Sequence, residues 1–125
     1  MSELNVVGVT FDGRADVIRG LVGEGRSRRY VQYLLVAEPQ NAHDANAIAV
    51  VCTAVGEAVG YVPAAVAAER RDLVGATGRL EVGTFRGGAR VYARITLPEE
   101  PVLLDNVPVE FVEAEGEVAS DDSTF

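Results

Sequence analysis

His43 and Asp44 stand side by side in the run Ala37-Glu38-Pro39-Gln40-Asn41-Ala42-His43-Asp44-Ala45-Asn46-Ala47-Ile48-Ala49-Val50-Val51. An imidazole beside a carboxylate is the raw material of general acid–base chemistry. Such a pair needs a substrate pocket, and nothing in the sequence indicates one. The same carboxylate has a second use: a short acidic side chain at a turn accepts a hydrogen bond from the amide two residues on, here that of Asn46. Asn41 and Asn46 read as turn formers, and Pro39 removes a backbone donor. The polar segment leads directly into Ala47–Val51, which has the composition of a buried strand. His43 and Asp44 are therefore expected at the lip of a strand, where a rigid scaffold presents polar groups.

Two aromatic residues and one basic cluster are the other candidates for contact chemistry. Phe11 and Tyr61 offer rings that stack on bases, a contact that contributes about 1–3 kcal/mol per base in single-strand binders. The alternatives are that Phe11 packs under a helix and that Tyr61 packs in the core with its hydroxyl exposed. Arg26, Arg28 and Arg29 with the adjacent Tyr30 form a basic–aromatic loop suited to a single-strand groove, or simply a solvated loop. Arg70 and Arg71 read as an exposed helix face.

Catalytic and metal chemistries find little support. The chain has no Lys, so a phosphate-binding P-loop is excluded. Gly83-Thr84-Phe85-Arg86-Gly87-Gly88 is a Gly-rich hairpin with no helix opening after it, unlike a dinucleotide fingerprint. One Cys and one His cannot make an ordinary structural zinc site, and His43 and Cys52 flank a strand nine residues apart, so a nucleophile pair would need chance geometry. Cys52, after Val50 and Val51, reads as a packing residue in a reducing compartment. No cofactor is expected. No stretch approaches about 20 apolar residues, so no membrane span is expected. Met1-Ser2-Glu3-Leu4 lacks the basic start of a secretion leader, and a cytoplasmic protein is expected.

The net charge of −8 argues against nucleic acid at first sight. Its distribution matters more. Residues 98–125 carry nine acids and no base, whereas residues 1–97 hold 11 arginines against 10 acids, a net of +1. The acidity belongs to the end of the chain, and the body is near neutral. With 125 residues, 48% of them hydrophobic, the chain reads as one domain with a single modest core. That domain is expected over 1–112, with an acidic, mobile tail over 113–125.

The elements that position these residues can be read from periodicity and turn residues. Leu4–Phe11 reads as a strand ended by Asp12-Gly13, and Arg14–Val22 as a helix with Asp12 as N-cap and Gly23 as stop. Further strands are expected over Tyr30–Val36, Ala47–Thr53, Ala58–Val62, Leu80–Phe85, Val91–Leu97 and Val107–Val112. Pro63 opens a second helix over Ala64–Val74. Six or seven short strands with two short helices give a mainly β chain curled into a small sheet or barrel.

The pattern Glu38-Pro39-x-Asn41-x-x-Asp44-x-Asn46-Ala47-Ile48-x-Val50 resembles the signature of the HIRAN domain family. Val6-Val7-Gly8-Val9 before it and Val59-Gly60-Tyr61-Val62-Pro63 after it lie in the right order, so the likeness spans about 5–97. The resemblance implies a small OB-like β-barrel of about six strands with two short helices outside it. It implies a nucleic-acid-binding module for single-stranded DNA, above all free 3′ ends, with no catalysis of its own. A separate helicase or nuclease is the protein partner such a module would serve. By position, the resemblance makes Asp44 the acceptor for a terminal sugar hydroxyl and Phe11 the contact to a terminal base. Thr10 stands where DNA-binding relatives have a basic residue, and His43 where they have an aromatic one. The nucleic-acid candidates are thus Thr10, Phe11, Arg28, Arg29, Tyr30, Asn41, His43, Asp44 and Tyr61. The departures at Thr10 and His43, with the acidic net charge, support the alternative of a protein-interaction or adaptor domain that keeps the fold without DNA affinity.

Overall fold

Strands rich in Val, Ile and Tyr, separated by glycines at positive φ, leave this chain little choice but antiparallel pairing. The computed structural model describes residues 2–97. Strands β1 (Ser2–Asn5), β2 (Arg28–Ala37), β3 (Ile48–Cys52), β4 (Glu57–Tyr61), β5 (Thr77–Phe85) and β6 (Arg90–Leu97) form one sheet in the order β1-β6-β5-β2-β3-β4. Helix α1 spans Arg14–Val22 and α2 spans Ala64–Glu69, with a 3₁₀ turn after it at Arg71–Leu73.

The sheet curls because consecutive residues tie its two sides together. The Val6 amide donates to the Ala93 carbonyl of β6 at 2.9 Å, and Val7 exchanges two 2.9 Å backbone bonds with Tyr61 on the β4 edge. The result is a curled half-barrel of six antiparallel strands with two short helices, as the sequence predicts. Helix α1 packs into the curl: Ile18, Leu21 and Val22 meet Leu35, Val50, Val59, Leu80, Val82 and Ile95 in one core. Cys52 is fully buried there.

Several boundaries differ from expectation for local reasons. The first strand ends at Asn5, and only Val7 beyond it makes a bridge, so Thr10 and Phe11 lie in a turn. Asp12 does not cap α1; it sits at φ 56°, and Gly13 occupies the cap position with no side-chain bond. Arg28 and Arg29 are not in a loop: pairing with Gly83 and Val82 draws them into β2. The second helix stops at Glu69 instead of Val74, because the chain tightens into the 3₁₀ turn. The expected strand at 107–112, the domain end at 112 and the tail lie outside the described residues.

Two tyrosine hydroxyls held by acceptors, one on buried Tyr33 and one on half-buried Tyr92, make the fold sensitive to alkali. Tyr33 donates to the Thr96 carbonyl at 2.8 Å, and burial pushes its pKa up to about 12. Tyr92 donates to Glu81 Oε2 at 2.5 Å; burial, then that bond, pushes it up to about 12. An unfolded tyrosine titrates near 10. Folding therefore favours the protonated phenols, a contribution complete below about pH 10 and lost as pH rises towards 12. Denaturant titrations at about pH 9 and about pH 11 are expected to show a fall in stability that Tyr92→Phe reduces. An unchanged fall in that variant would remove Tyr92 from the account.

Candidate functional site

The loop between β2 and β3 is organised by side chains that replace missing backbone partners. Glu38 Oε1 accepts from the Tyr61 hydroxyl at 2.7 Å and from Asn41 Nδ2 at 3.0 Å. Asn41 Oδ1 accepts from the amides of His43 and Asp44 at 2.8 and 3.1 Å. Asp44 Oδ1 accepts from the Asn46 amide at 2.9 Å, the turn cap expected of it. The loop base closes between the Glu38 amide and the Ala47 carbonyl, and Arg71 Nη1 donates to the Asn46 carbonyl at 2.6 Å. Arg71 is thus a strut for the loop, not an idle surface charge. Among the described residues Asp44 Oδ2 has no hydrogen-bond partner, and His43 is exposed with its ring unbonded.

A β-bulge aims Tyr61 into this site. Val50 pairs with Gly60 but Val51 with Ala58, so Val59 is an extra residue on β4. Because side chains alternate faces, one extra residue reverses the parity beyond it. Val59 stays in the core, and Tyr61 turns to the outer face, where its hydroxyl reaches Glu38. That bond is the main reason its pKa is raised, so at neutral pH the phenol is a donor committed to the carboxylate. It is not offered to a phosphate.

The turn at 8–13 brings the remaining pieces. Gly8, at φ 73°, has the Arg14 guanidinium, the Tyr61 ring and the Phe11 ring all within 4 Å of where a Cβ would stand. Arg14 Nη1 donates to the Gly8 carbonyl at 2.8 Å, and its guanidinium carbon lies 4.9 Å from the Tyr61 ring centroid. Its side chain is only 13% exposed. Phe11, by contrast, is 66% exposed and does not pack under the helix.

Phe11, Tyr61, Asn41 and Asp44 are therefore one connected cluster, with Thr10 and His43 exposed at its margin. Arg28, Arg29 and Tyr30 are not part of it. Tyr30 and Glu38 are eight residues apart on one extended chain, about 26 Å at about 3.3 Å per residue. Arg29 is occupied elsewhere: its Nη1 donates to the Leu21 carbonyl at 3.0 Å, satisfying the C-terminal turn of α1. Sequence reasoning missed Glu38 and Arg14 as site residues. A signal existed for Arg14, a cation at the first position of a helix, where the macrodipole disfavours it.

No described group of three or more His, Cys, Asp or Glu side chains is arranged to hold a metal. No helix is long and apolar enough to cross a membrane. A half-barrel that holds an exposed ring and a braced polar loop at one margin defines a small binding module. A family model for the HIRAN domain matches residues 1–95 of the 125, and the chain belongs to that family. HIRAN domains are in general nucleic-acid-binding modules without catalysis. No curated protein and no solved structure gives a significant match to the chain.

Proposed function

We propose that this protein binds the free 3′ end of single-stranded DNA without acting on it chemically. The observation that carries this reading is the division of labour within Asp44: Oδ1 braces the loop through Asn46, and Oδ2 is left without a partner among the described residues. A terminal hydroxyl is a donor and suits that oxygen, whereas a continuing phosphate is repelled by it. An acid in a nucleic-acid site thereby selects an end over a continuous strand. Phe11 supplies the exposed ring for the terminal base, with Thr10, Asn41 and His43 around the sugar and phosphate.

Fluorescence anisotropy with a 3′-hydroxyl oligonucleotide and its 3′-phosphate twin tests this. The hydroxyl form is expected to bind more tightly, and failure of both to bind at low salt would sink the reading. Phe11→Ala is expected to weaken both ligands by about tenfold, because stacking is indifferent to the group on the terminal 3′ oxygen.

A protein-interaction role is the second reading. One observation favours it: both guanidiniums at the loop site, Arg14 and Arg71, are committed to backbone carbonyls. The same titration separates the two.

A further inference from the structure

The outer face of β2 leads away from the loop site. Every second residue from Arg28 to Val36 is exposed: Arg28, Tyr30, Gln32, Leu34 and Val36. The next position on that side is Glu38, which holds Tyr61. The strip is thus continuous with the proposed end-binding site, and its far end is basic and aromatic.

Tyr30, 47% exposed, has two guanidinium carbons near its ring, that of Arg28 at 5.7 Å and that of Arg79 at 4.8 Å from the centroid. In the adjoining rows, Tyr92 lies across Gly83, where any Cβ would overlap its ring, and meets Phe85 at a centroid distance of 6.2 Å. The acid of this region, Glu81, is already engaged by the Tyr92 hydroxyl and flanked by Arg28 at 3.9 Å and Arg94 at 3.8 Å. Phe85 also lines a cleft between the end of α1 and the β5–β6 turn. Its lining includes Arg19, Arg26 and Arg86 and no acid.

We propose that the outer face of β2 carries the body of the single strand whose end sits at the 38–46 loop, with Tyr30, Arg28 and Arg79 as its principal contacts. Rings and guanidiniums stack on bases of any sequence, and Arg79, which has no acid partner among the described residues, brings positive charge to the phosphates. Alternate residues of an extended strand lie about 7 Å apart, a spacing that a stretched sugar–phosphate chain can track. The apolar middle, Leu34 and Val36, offers packing to sugars and bases where no charge is needed. This inference extends the end-binding reading and rests on it for the direction of the strand.

The test uses the full chain and 3′-hydroxyl oligonucleotides of increasing length. Affinity is expected to rise with length until the strip is filled. Tyr30→Ala is expected to remove about tenfold from the longer ligands and little from the shortest. Arg79→Ala is expected to lower the salt slope of the longer ligands by about 0.7. Both residues are exposed, so folding is retained, and the preference for a 3′-hydroxyl over a 3′-phosphate should persist in both variants. Variants that keep the wild-type length dependence would overturn the proposal. Tighter binding by either variant would also overturn it, since the strip would then be occupied by an acidic segment such as 98–125. Length dependence that the variants abolish, without any end preference in the wild type, would uphold the strip and remove the end-binding reading instead.

Discussion

Asp44→Asn is expected to weaken binding of a 3′-hydroxyl oligonucleotide more than tenfold while leaving the melting temperature close to that of the wild type. The replacement keeps Oδ1, so it still accepts from the Asn46 amide at the turn. It converts Oδ2 into an amide nitrogen, which cannot accept a bond from a sugar hydroxyl. Loss of a charge-assisted bond costs about 1.5–3 kcal/mol, and about 1.4 kcal/mol is a factor of ten. Affinity for the 3′-phosphate twin should hold or improve, because a negative charge has been removed. Asp44→Ala differs: it loses the turn cap as well, and its melting temperature should fall. Titration of the three proteins beside their thermal melts separates recognition from bracing. An Asp44→Asn protein that still prefers the free hydroxyl would leave Asp44 with the bracing role alone.

Gly60→Ala is expected to be the most damaging glycine-to-alanine change among the described residues. A Cβ at Gly60 would stand 2.5 Å from both the Val7 carbonyl oxygen and Val6 Cγ1. One of these is backbone, held in the pair of bonds that joins Val7 to Tyr61, and it cannot swing aside as a side chain does. Overpacking of this kind costs about 1–3 kcal/mol, and loosening the closure adds to it. For a domain of this size the melting temperature should drop by about 10 °C or more. Nucleic-acid affinity should fall as well, because Gly8 and Phe11 come after Val7 in the turn that meets Tyr61, and Arg14 opens the helix that follows it. Gly20→Ala is the control: nothing lies within 4 Å of its Cβ position, and in mid-helix the change should stabilise by about 0.5–1 kcal/mol. A Gly60→Ala melt within about 2 °C of the wild type would show that the closure yields without cost.

The parts of this molecule that are local in sequence are legible in it. Asn41, Asp44 and Asn46 form a turn because short polar side chains substitute for backbone partners a few residues away, and that logic needs no knowledge of the rest of the chain. Helix α1 over Arg14–Val22 is readable from its apolar spacing and from Gly23. The features that escape depend on distant pairing. Arg28 and Arg29 read as a loop because the strand that extends β2 to them, β5, lies about fifty residues away. Tyr61 reads as a neighbour of the core because the bulge at Val59 leaves no mark in a run of Val, Gly and Tyr. The basic–aromatic stretch and the polar loop read as parts of one binding site, whereas β2 holds them at opposite ends of its length. The Glu38 carboxylate is visible within the family pattern, but its role requires knowing that Tyr61 faces outward.

The pairing of β1 with β6 has a consequence for how the chain reaches its native state. Ser2 sits opposite Leu97, and Val7 bridges Tyr61, so the first residues acquire their partners only when segments far along the chain are available. Folding dominated by such non-local contacts is slow, commonly milliseconds to seconds, because the loop-closure entropy is spent before the contacts that repay it exist. During synthesis at about 5–20 residues per second, the β2–β3 and β3–β4 hairpins can form early, but β1 must wait for β6 to clear the ribosome. Phe11, Arg14 and the open edge of β4 remain unassembled for those seconds, which is when a chaperone has most reason to hold this chain.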